Sequence, residues 1–392
     1  MTQNFSPDWL SSPSVRKVAG AFAEKGVALW FVGGCVRNSL IGGAATDIDA
    51  ASDARPEAVI EIAKRAGLKA IPTGIEHGTV TVIAAGEPIE ITTFRKDVET
   101  DGRRAVVAYS TEMAEDAQRR DFTMNALYLS PEGVLVDPCG TGREDLMAGR
   151  VRFIGAPEAR IGEDYLRILR YFRFFAWYGS VEDGVDPEAL SAIAELQDGL
   201  AGISAERIGT EMRKLLAAPN PVPAVAAMAQ CGVLARLLPG AGIGLLGPYV
   251  HLEAEAGLAP DMMARLVALG GEGLDDRLRL SRAEQKARRI LVEGLERPEL
   301  GAEETGYRYG SNVGMRIEVL RRATTGRPLD PTAFPAIAKG SNHQFPLKAA
   351  DLPAELEGAA IGEALRRGEA MWIESGFMLD SEALLSRLFG GQ

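Results

Sequence analysis

Two short patterns near the N-terminus combine residue types that bind phosphate groups and metal ions. Gly33-Gly34 ends an apolar run and is followed by Arg37, and Asp47 and Asp49 come next along the chain. Paired glycines let a backbone approach a phosphate with its N–H groups exposed, and an arginine can donate two hydrogen bonds to phosphate oxygens. Alternate residues of a strand point to the same face, so the two aspartate carboxylates would project together.

Carboxylates this close repel each other unless they share cations, and Mg²⁺ is a hard cation that oxygen ligands suit. We therefore predict that Asp47 and Asp49 are catalytic residues that bind two Mg²⁺ ions, for which Mn²⁺ could substitute. One ion would lower the pKa of an attacking hydroxyl, and the other would offset charge on a leaving pyrophosphate. Singly, a glycine pair is typical of a turn and an Asp-x-Asp of a solvated strand end, so only their order and spacing together favour phosphoryl transfer.

A further pattern begins at Glu163, where apolar residues spaced for a helix fall on one side. Asp164, Arg167 and Arg170 would lie on the other side of that helix. A carboxylate can accept from the exocyclic amine of cytosine or adenine while an arginine donates to a ring nitrogen or carbonyl. Such a pair could select C and A over U and G. The alternative is a surface helix with an ordinary salt bridge between Asp164 and Arg167.

The elements that would position these residues change in type along the chain. Residues 27–32 predict a strand that ends at the glycine pair, and residues 56–66 predict a helix. Residues 77–84 and 88–94 predict a β-hairpin, whereas the polar residues 97–104 predict a mobile loop. Helical patterns dominate the remainder. The fold class is therefore α+β, with an N-terminal head followed by an extended all-helical body.

Length and composition exclude several classes of protein. A chain of 392 residues is too long for one ordinary core, so we expect two or more packed units. The N-terminus lacks a basic segment before an apolar run, and prolines interrupt the most apolar stretch, so we predict neither a signal peptide nor a membrane span. Cys35, Cys139 and Cys231 are too scattered for a disulfide framework or a zinc site. We expect a cytoplasmic protein with no obligate protein partner.

The formal net charge of −11 does not exclude an RNA partner, because binding depends on where positive charge lies rather than on its sum. Basic residues cluster in two places, and each cluster is either an RNA-binding surface or a solvated helix face. The first cluster contains Arg277, Arg279, Arg282, Lys286, Arg288 and Arg289. The second contains Arg316, Arg321, Arg322 and Arg327.

Five ordered blocks of the sequence resemble the bacterial CCA-adding enzyme and poly(A) polymerase family. Residues 33–49 resemble its G-G-x-V-R and D-x-D signature, and residues 119–127 (RRDFTMNAL) its R-R-D-F-T-x-N-A-L block. Residues 137–152 are similar to its hinge motif, residues 163–170 (EDYLRILR) to its E-D-x-L-R-x-L-R helix, and residues 203–208 (ISAERI) to the motif that follows.

This resemblance implies a polymerase-β-like head with a small mixed sheet, followed by a helical neck, body and tail. It predicts a catalytic head at 1–138, a neck with the base-selecting helix at 139–200, a body at 201–270 and a tRNA-binding tail at 271–392. The implied partners are the tRNA 3′ end, CTP and ATP, with no membrane partner. The implied nucleotide-binding residues are Gly34, Arg37, Arg120, Asp164, Arg167, Arg170 and Arg173.

Two residues leave questions that the resemblance does not answer. The family usually has aspartate where this chain has Asn38, and a neutral amide can form hydrogen bonds but carries no charge. Glu90 is either a third carboxylate beside Asp47 and Asp49 or a solvated strand residue.

Three functions are compatible with these motifs. The first is addition of CCA to tRNA from CTP and ATP without a nucleic-acid template. The second is a poly(A) polymerase or an enzyme that adds only part of CCA, and the third is a non-catalytic RNA-binding relative. The motif residues argue against the third. The family's poly(A) polymerases have an element similar to G-R-R-F shortly after the D-x-D motif. This chain has residues 52–56 (SDARP) there instead, which favours CCA addition.

Overall fold

The computed structural model describes residues 3–45, 47–100 and 105–390, which form two compact units. The first unit comprises Met1–Ala241 and Gly271–Arg279, and the second Gly242–Gly270 and Leu280–Gln392. The strands are β1 (Gln3–Asn4), β2 (Leu29–Val32), β3 (Ile48–Ser52), β4 (Lys69–Gly74), β5 (Thr79–Ala84), β6 (Glu87–Thr93), β7 (Arg95–Thr100), β8 (Ala105–Tyr109), β9 (Tyr128–Leu129) and β10 (Val134–Val136).

Helices account for most of the remaining regular structure. The α-helices are α1 (Pro13–Ala23), α2 (Gly34–Leu40), α3 (Pro56–Arg65), α4 (Met113–Gln118), α5 (Gly142–Met147), α6 (Pro157–Glu163), α7 (Leu166–Tyr178), α8 (Pro187–Leu196), α9 (Ala205–Leu216), α10 (Val222–Gln230), α11 (Val233–Leu237), α12 (Leu246–Glu255), α13 (Met262–Leu269), α14 (Leu274–Arg277), α15 (Arg282–Leu295), α16 (Ala302–Tyr309), α17 (Ser311–Thr325), α18 (Ala333–Gly340), α19 (Ala359–Glu374) and α20 (Ser381–Phe389). Short 3₁₀ helices cover Asp8–Ser11, Ile75–His77, Thr123–Asn125, Gln197–Gly202 and Ala349–Asp351.

The first unit is built on a mixed sheet with strand order β1-β10-β9-β2-β3-β6-β5-β4. Strands β3 and β6 run parallel, and the other neighbours are antiparallel. The predicted hairpin is β5–β6, and positive φ angles of 51° at Ala85 and 86° at Gly86 make its turn. All strands of the described chain precede residue 137, so the predicted α+β class with a helical remainder is confirmed.

The prediction of a loop at residues 97–104 is wrong over its first half. Strand β7 continues to Thr100 and pairs antiparallel with β8 as a separate two-stranded ribbon. Cross-strand hydrogen bonds satisfy the backbone of such a ribbon even where the sequence shows no apolar alternation, which is why composition alone missed it. Residues 101–104 lie outside the described residues.

The predicted helix at Glu163 is interrupted at the residues of greatest interest. Helix α6 ends at Glu163, Asp164 is extended with φ −153° and ψ 105°, and α7 begins at Leu166. The Asp164 carboxylate accepts a hydrogen bond from the backbone N–H of Leu166 (3.0 Å). A short acidic side chain that bonds a nearby backbone N–H favours a helix start over a helix interior, so Asp164 caps α7 instead of lying on its face.

An aromatic cluster joins α7 to the head. Phe122 packs against Phe153, Tyr171 and Phe174 with ring centroids 4.9–6.1 Å apart, and all four side chains are buried. Such packing fixes the ring orientations more tightly than apolar area alone. The cluster therefore holds the polar side of α7 against the segment that follows Arg120.

The second unit contains only helices within its described residues, and some of them approach closely through glycine. Helices α16 and α18 contact each other at Gly306 and Gly340, where an added Cβ would overlap the carbonyl oxygens of Ile337 and Glu303 respectively. The sequence-based division at residue 270/271 does not coincide with these units, since Gly271–Arg279 belongs to the first, and the finer division into head, neck, body and tail stays a prediction. Across the described residues, no helix is both long and apolar enough to cross a membrane.

We predict that Gly306→Ala destabilises the second unit by about 2–4 kcal/mol, because the new methyl group must displace the Ile337 backbone. Thermal unfolding followed by circular dichroism measures the loss. Gly362→Ala is the matched control, since the only atom near its Cβ is the flexible end of Arg366 at 3.4 Å. Equal melting temperatures for the two variants would contradict the close packing of α16 on α18.

Candidate active site

One cavity of about 510 Å³ in the first unit collects most of the residues that the motifs predicted. Its acidic side lies at the start of β3 and in the middle of β6, and its basic side is formed by arginines from α2, from the segment after α4, and from α7 and α9. The predicted site residues that line it are Gly34, Arg37, Asp49, Glu90, Arg120, Asp164, Arg167 and Arg170.

The acidic side begins where the two parallel strands are in register. Asp49 of β3 pairs with Glu90 of β6, so their side chains leave the same face of the sheet. Burial, the Glu90 charge and the Asp47 charge together raise the pKa of Asp49 to about 6, although Arg120 opposes them. Asp47 lies just before β3, is exposed, and is not among the cavity-lining residues. The three carboxylates thus share one electrostatic environment.

This donor set suits a hard divalent cation, because its atoms are carboxylate oxygens and its neighbouring charges repel. In the part of the chain that the structure describes, however, no three His, Cys, Asp or Glu side chains form a ready metal cage. Asp47 and Asp49 would therefore bind metal together with oxygens from substrate or water, as Mg²⁺ sites commonly do. Glu90 is near Asp49, but its assignment as a third ligand stays a prediction.

The glycine pair separates two arginine side chains. Gly33 has φ 79° and turns the chain from β2 into α2. An added Cβ would lie 3.9 Å from the Arg120 guanidinium at Gly33, and 3.8 Å from that of Arg37 at Gly34. Both arginines therefore project beside the glycine backbone, as expected of a phosphate site.

Arg120 is held from behind by a carboxylate that the sequence analysis did not single out. The buried Asp116 of α4 accepts from Arg120 at 2.9 and 3.2 Å and from the Tyr128 hydroxyl at 2.7 Å. Burial favours the neutral acid, but Arg120, Tyr128 and Arg119 outweigh it and lower the pKa of Asp116. Asp116 stands one turn before Arg120, so helical spacing was the available signal.

Asp164 and Arg167 both face the cavity, and they do not form the salt bridge that the alternative interpretation required. Asp164 instead pairs with Arg207 of α9 at 2.7 Å, and Arg167 pairs with Glu163 and donates to the Arg160 carbonyl at 2.7 Å. The break between α6 and α7 causes this exchange, because it removes Asp164 from the helical face that carries Arg167. Arg207 lay within the quoted block 203–208, but only the structure brings it beside Asp164.

The remaining arginines of α7 are paired with acids beneath the cavity. Arg170 donates to the buried Asp121 at 2.8 Å, and Asp121 also accepts from Asn125 at 2.8 Å. Arg173 pairs with the buried Glu211 at 2.5 Å and is not among the cavity-lining residues. Of the predicted nucleotide-binding residues, Arg173 is therefore the one that does not line the cavity.

The first basic cluster is divided between the two units. Arg277 and Arg279 belong to the first unit, where Arg279 pairs with Glu206 at 3.2 Å. In the second unit, α15 carries Arg282, Lys286 and Arg289 at helical spacing, and all three are exposed. Arg288, also on α15, is only partly exposed.

Most arginines of the second basic cluster make contacts within the second unit. Arg316 is buried and pairs with Asp261 at 2.9 Å. Arg321 donates to the carbonyl oxygens of Gly294 and Leu300, and Arg322 pairs with Glu318 and Asp330. Arg316 and Arg321 therefore hold helices of the second unit together, Arg322 pairs within α17 and with the segment that follows it, and Arg327 is exposed.

Family comparisons agree with this arrangement. Residues 29–152 match the family described as "Poly A polymerase head domain", and residues 184–242 match "Probable RNA and SrmB- binding site of polymerase A". Together with the mixed sheet, the strand-end aspartates and the arginine-lined cavity, these matches define the class: a nucleotidyltransferase.

Individual relatives narrow the class. The chain is 34% identical to "CCA tRNA nucleotidyltransferase 1, mitochondrial" of Danio rerio, over 95% of this chain and 89% of that protein. It is 33% identical to the "CCA-adding enzyme" of Geobacillus stearothermophilus, over 78% and 76% of the two chains. A crystal structure of the Bacillus stearothermophilus CCA-adding enzyme in complex with CTP superposes with a TM-score of 0.73 at 25% identity, covering 98% of each chain. The chain belongs to the CCA-adding enzyme family.

We predict that Asp49→Asn stabilises the metal-free protein at pH 8 by about 1–3 kcal/mol. The folded-state pKa of Asp49 is raised from 3.8 to about 6. The free energy of unfolding therefore contains the whole favourable contribution of the Asp49 carboxyl below pH 3.8 and loses it as the pH rises through 6. Thermal unfolding in EDTA from pH 4 to pH 8 measures this, with the exposed Asp183→Asn as control.

The difference in stability between Asp49→Asn and the wild type should disappear near pH 4. Added Mg²⁺ should raise the melting temperature of the wild type more than that of the variant. A variant that is no more stable than wild type at pH 8 in EDTA would show that the Asp49 carboxylate is not confined among like charges.

Proposed function

We propose that this chain is a CCA tRNA nucleotidyltransferase that adds CMP, CMP and AMP to the tRNA 3′ end from CTP and ATP and releases pyrophosphate. The observation that carries the proposal is that one cavity brings the carboxylates of Asp49 and Glu90 opposite several arginines. Asp164 and Arg167 also line this cavity. A nucleoside triphosphate has charge at one end and a base at the other, and this cavity offers matching groups for both. Family membership supplies the reaction class.

Residues at the strand ends would act on the reacting phosphate. Asp47 and Asp49 would hold divalent metal, most simply two Mg²⁺ ions with Mn²⁺ as a substitute, and Glu90 is the candidate third carboxylate. Bound metal lowers the pKa of the attacking 3′-hydroxyl and offsets charge on the departing pyrophosphate. Gly34 would let the backbone approach the triphosphate, while Arg37 and Arg120 would donate to its oxygens and orient the α-phosphate.

Base choice would rest on side chains that the break between α6 and α7 presents. The Asp164 carboxylate would accept from the exocyclic amine that cytosine and adenine share, and Arg167 would donate to a ring acceptor. Arg207 and the Leu166 N–H already fix the orientation of Asp164, and Glu163 fixes Arg167. Fixed donors and acceptors select bases better than mobile ones because less ordering is needed on binding. Arg170 and Arg173 would support the nucleotide, and each is held by a buried acid, Asp121 and Glu211 respectively.

The tRNA body would contact basic residues outside the cavity. We assign this role to Arg282, Lys286 and Arg289 of α15, with Arg288 beside them, and to Arg277 and Arg279 in the first unit. Exposed cations on one helical face suit a phosphate backbone, which binds through counterion release rather than sequence-specific contacts. The cytoplasmic location stays a prediction from sequence.

Incorporation assays test the proposed function directly. Purified protein is incubated with tRNA that ends before CCA, with CTP and ATP supplied singly and together, and the products are sequenced at their 3′ ends. CTP alone should add two residues, ATP alone should add none, and both together should complete CCA. A homopolymer of A would indicate a poly(A) polymerase, and extension that stops after C or requires a CC end would indicate a partial enzyme.

We predict that Asp164→Ala lowers the preference for CTP over UTP by roughly tenfold or more, since each base-specific contact contributes about 1–3 kcal/mol. The variant should keep detectable transfer because the strand-end carboxylates are unchanged. Single-turnover incorporation of all four nucleotides measures the ratio, with the exposed Asp183→Ala as control. An Asp164→Ala enzyme that rejects UTP as well as wild type does would leave Asp164 with only its capping role.

We predict that Arg282→Gln combined with Lys286→Gln weakens tRNA binding and flattens its salt dependence by about two units of the logarithmic slope, because two phosphate contacts are lost. CTP binding should not change. Arg366→Gln combined with Arg367→Gln is the matched control, since it removes the same charge from exposed positions on α19 of the same unit. Equal tRNA affinities for the two double variants would make α15 an ordinary solvated helix.

A further inference from the structure

Arg37 differs from most of the other arginines that line the cavity in the partners that hold it. Arg120, Arg167, Arg170 and Arg207 each have a carboxylate partner, respectively Asp116, Glu163, Asp121 and Asp164. The hydrogen bonds found for the Arg37 guanidinium instead end on neutral oxygens: the amide oxygens of Asn38 and Asn125 and the hydroxyl of Tyr178.

The geometry of this neutral cage is specific. Asn38 Oδ1 accepts from Arg37 Nε at 3.2 Å and from Nη2 at 3.0 Å, and it also accepts from the Tyr178 hydroxyl at 3.1 Å. The Tyr178 hydroxyl in turn accepts from Arg37 Nη2 at 2.9 Å. The guanidinium carbon lies 4.3 Å from the Tyr178 ring centroid and 5.0 Å from that of Phe174. The side chain is therefore fixed in direction by acceptors and ring faces that carry no net charge.

One carboxylate, Asp121, acts on this cage. It attracts the Arg37 charge electrostatically and is linked to it by hydrogen bonds through Asn125, which donates to Asp121 and accepts from Arg37, while Asp121 itself pairs with Arg170. Arg37 is only 7% exposed, so its positive charge is both poorly hydrated and poorly neutralised. An anion that enters the cavity beside Gly34 would supply the missing partner, and the charge-assisted bonds would be strong there.

We propose that Asn38 and Tyr178 are positioning residues that hold Arg37 through neutral contacts and so reserve its charge for the triphosphate of the incoming nucleotide. This role rests on the proposed function, since it assigns Arg37 to the triphosphate end of the same cavity. The family usually has aspartate here, and a carboxylate at position 38 would meet Arg37 Nε and Nη2 directly and partly neutralise the guanidinium, so less of its charge would be left for the nucleotide. The amide forms the same hydrogen bonds without that neutralisation.

Asn38→Asp tests the proposal, because it changes charge and hardly changes shape. Dissociation constants are measured by calorimetry with Mg²⁺ for CTP, ATP and inorganic tripolyphosphate, and kcat and KM are measured with tRNA that ends before CCA. All three dissociation constants should rise about tenfold in Asn38→Asp, the scale on which close charges compete in a partly buried site. The KM values for CTP and ATP should rise in parallel, and the KM for tRNA should not change. Tripolyphosphate has no base, so its parallel loss ties the effect to the phosphate end.

Two further variants separate charge from position. Asn38→Ala and Tyr178→Phe each loosen Arg37 without adding a carboxylate, so each should weaken tripolyphosphate binding less than Asn38→Asp does. Asn342→Asp, an identical change at an exposed position of the second unit, is the matched control and should bind all three ligands like wild type. Melting temperatures check that every variant is folded.

The outcomes are distinguishable from failure of the proposed function. A wild-type chain that binds tripolyphosphate but adds nothing to tRNA would overturn the proposed function, while the binding order among variants would still decide the role of Asn38. Asn38→Asp that binds tripolyphosphate as well as wild type, or no worse than Asn38→Ala, would overturn the neutral cage. If Asn38→Asp does not fold, an unchanged tripolyphosphate affinity in Tyr178→Phe overturns it instead.

Discussion

The site depends on the repulsion between acids that the parallel pair β3–β6 brings together. Asp49 and Glu90 leave the same face in register, Asp47 adds its charge one residue before β3, and burial raises the pKa of Asp49 to about 6. A bound cation would stabilise the ionised Asp49 carboxylate among its like-charged neighbours, and a bound anion would stabilise the arginines across the cavity. We propose a metal-bound triphosphate as the ligand, because it offers a cation to one side and an anion to the other. The opposed charges favour such a ligand before any base is considered.

Separate carboxylates hold the arginines on their own side of the cavity. Asp116 pairs with Arg120 and Asp121 pairs with Arg170, and both acids are buried in the cavity wall. The break at Asp164 serves the same purpose at the base end, since it lets Arg207 fix one carboxylate oxygen while the Leu166 N–H fixes the other. Buried pairs of this kind contribute little net stability but fix geometry, which is what selection among similar nucleotides needs.

Sequence predicted the parts of this site that depend on local spacing. Gly34, Arg37 and Asp49 line one cavity, as the motifs led us to expect, because a strand, a glycine turn and an alternating pair each have a short-range signature. The prediction of one helix through residue 164 was wrong because helical periodicity continues there, although Asp164 is extended and its carboxylate bonds the first turn of α7. The role of the cluster Arg316, Arg321, Arg322 and Arg327 stayed open because charge in a sequence does not show whether its partner is a solvent molecule, a carbonyl or an acid. Partners such as Asp116 and Arg207 become visible only once the chain is folded.

The central claim is that opposed charges in one cavity bind a metal nucleotide. Calorimetric titration of the wild-type chain with CTP, with Mg²⁺ and then with EDTA, tests it most directly. The account predicts one CTP per chain, displaced by ATP, with affinity that falls at least tenfold without Mg²⁺ because the triphosphate then faces unscreened carboxylates. CTP that binds equally well in EDTA, or that ATP fails to displace, would contradict a shared site built on the acids of β3 and β6.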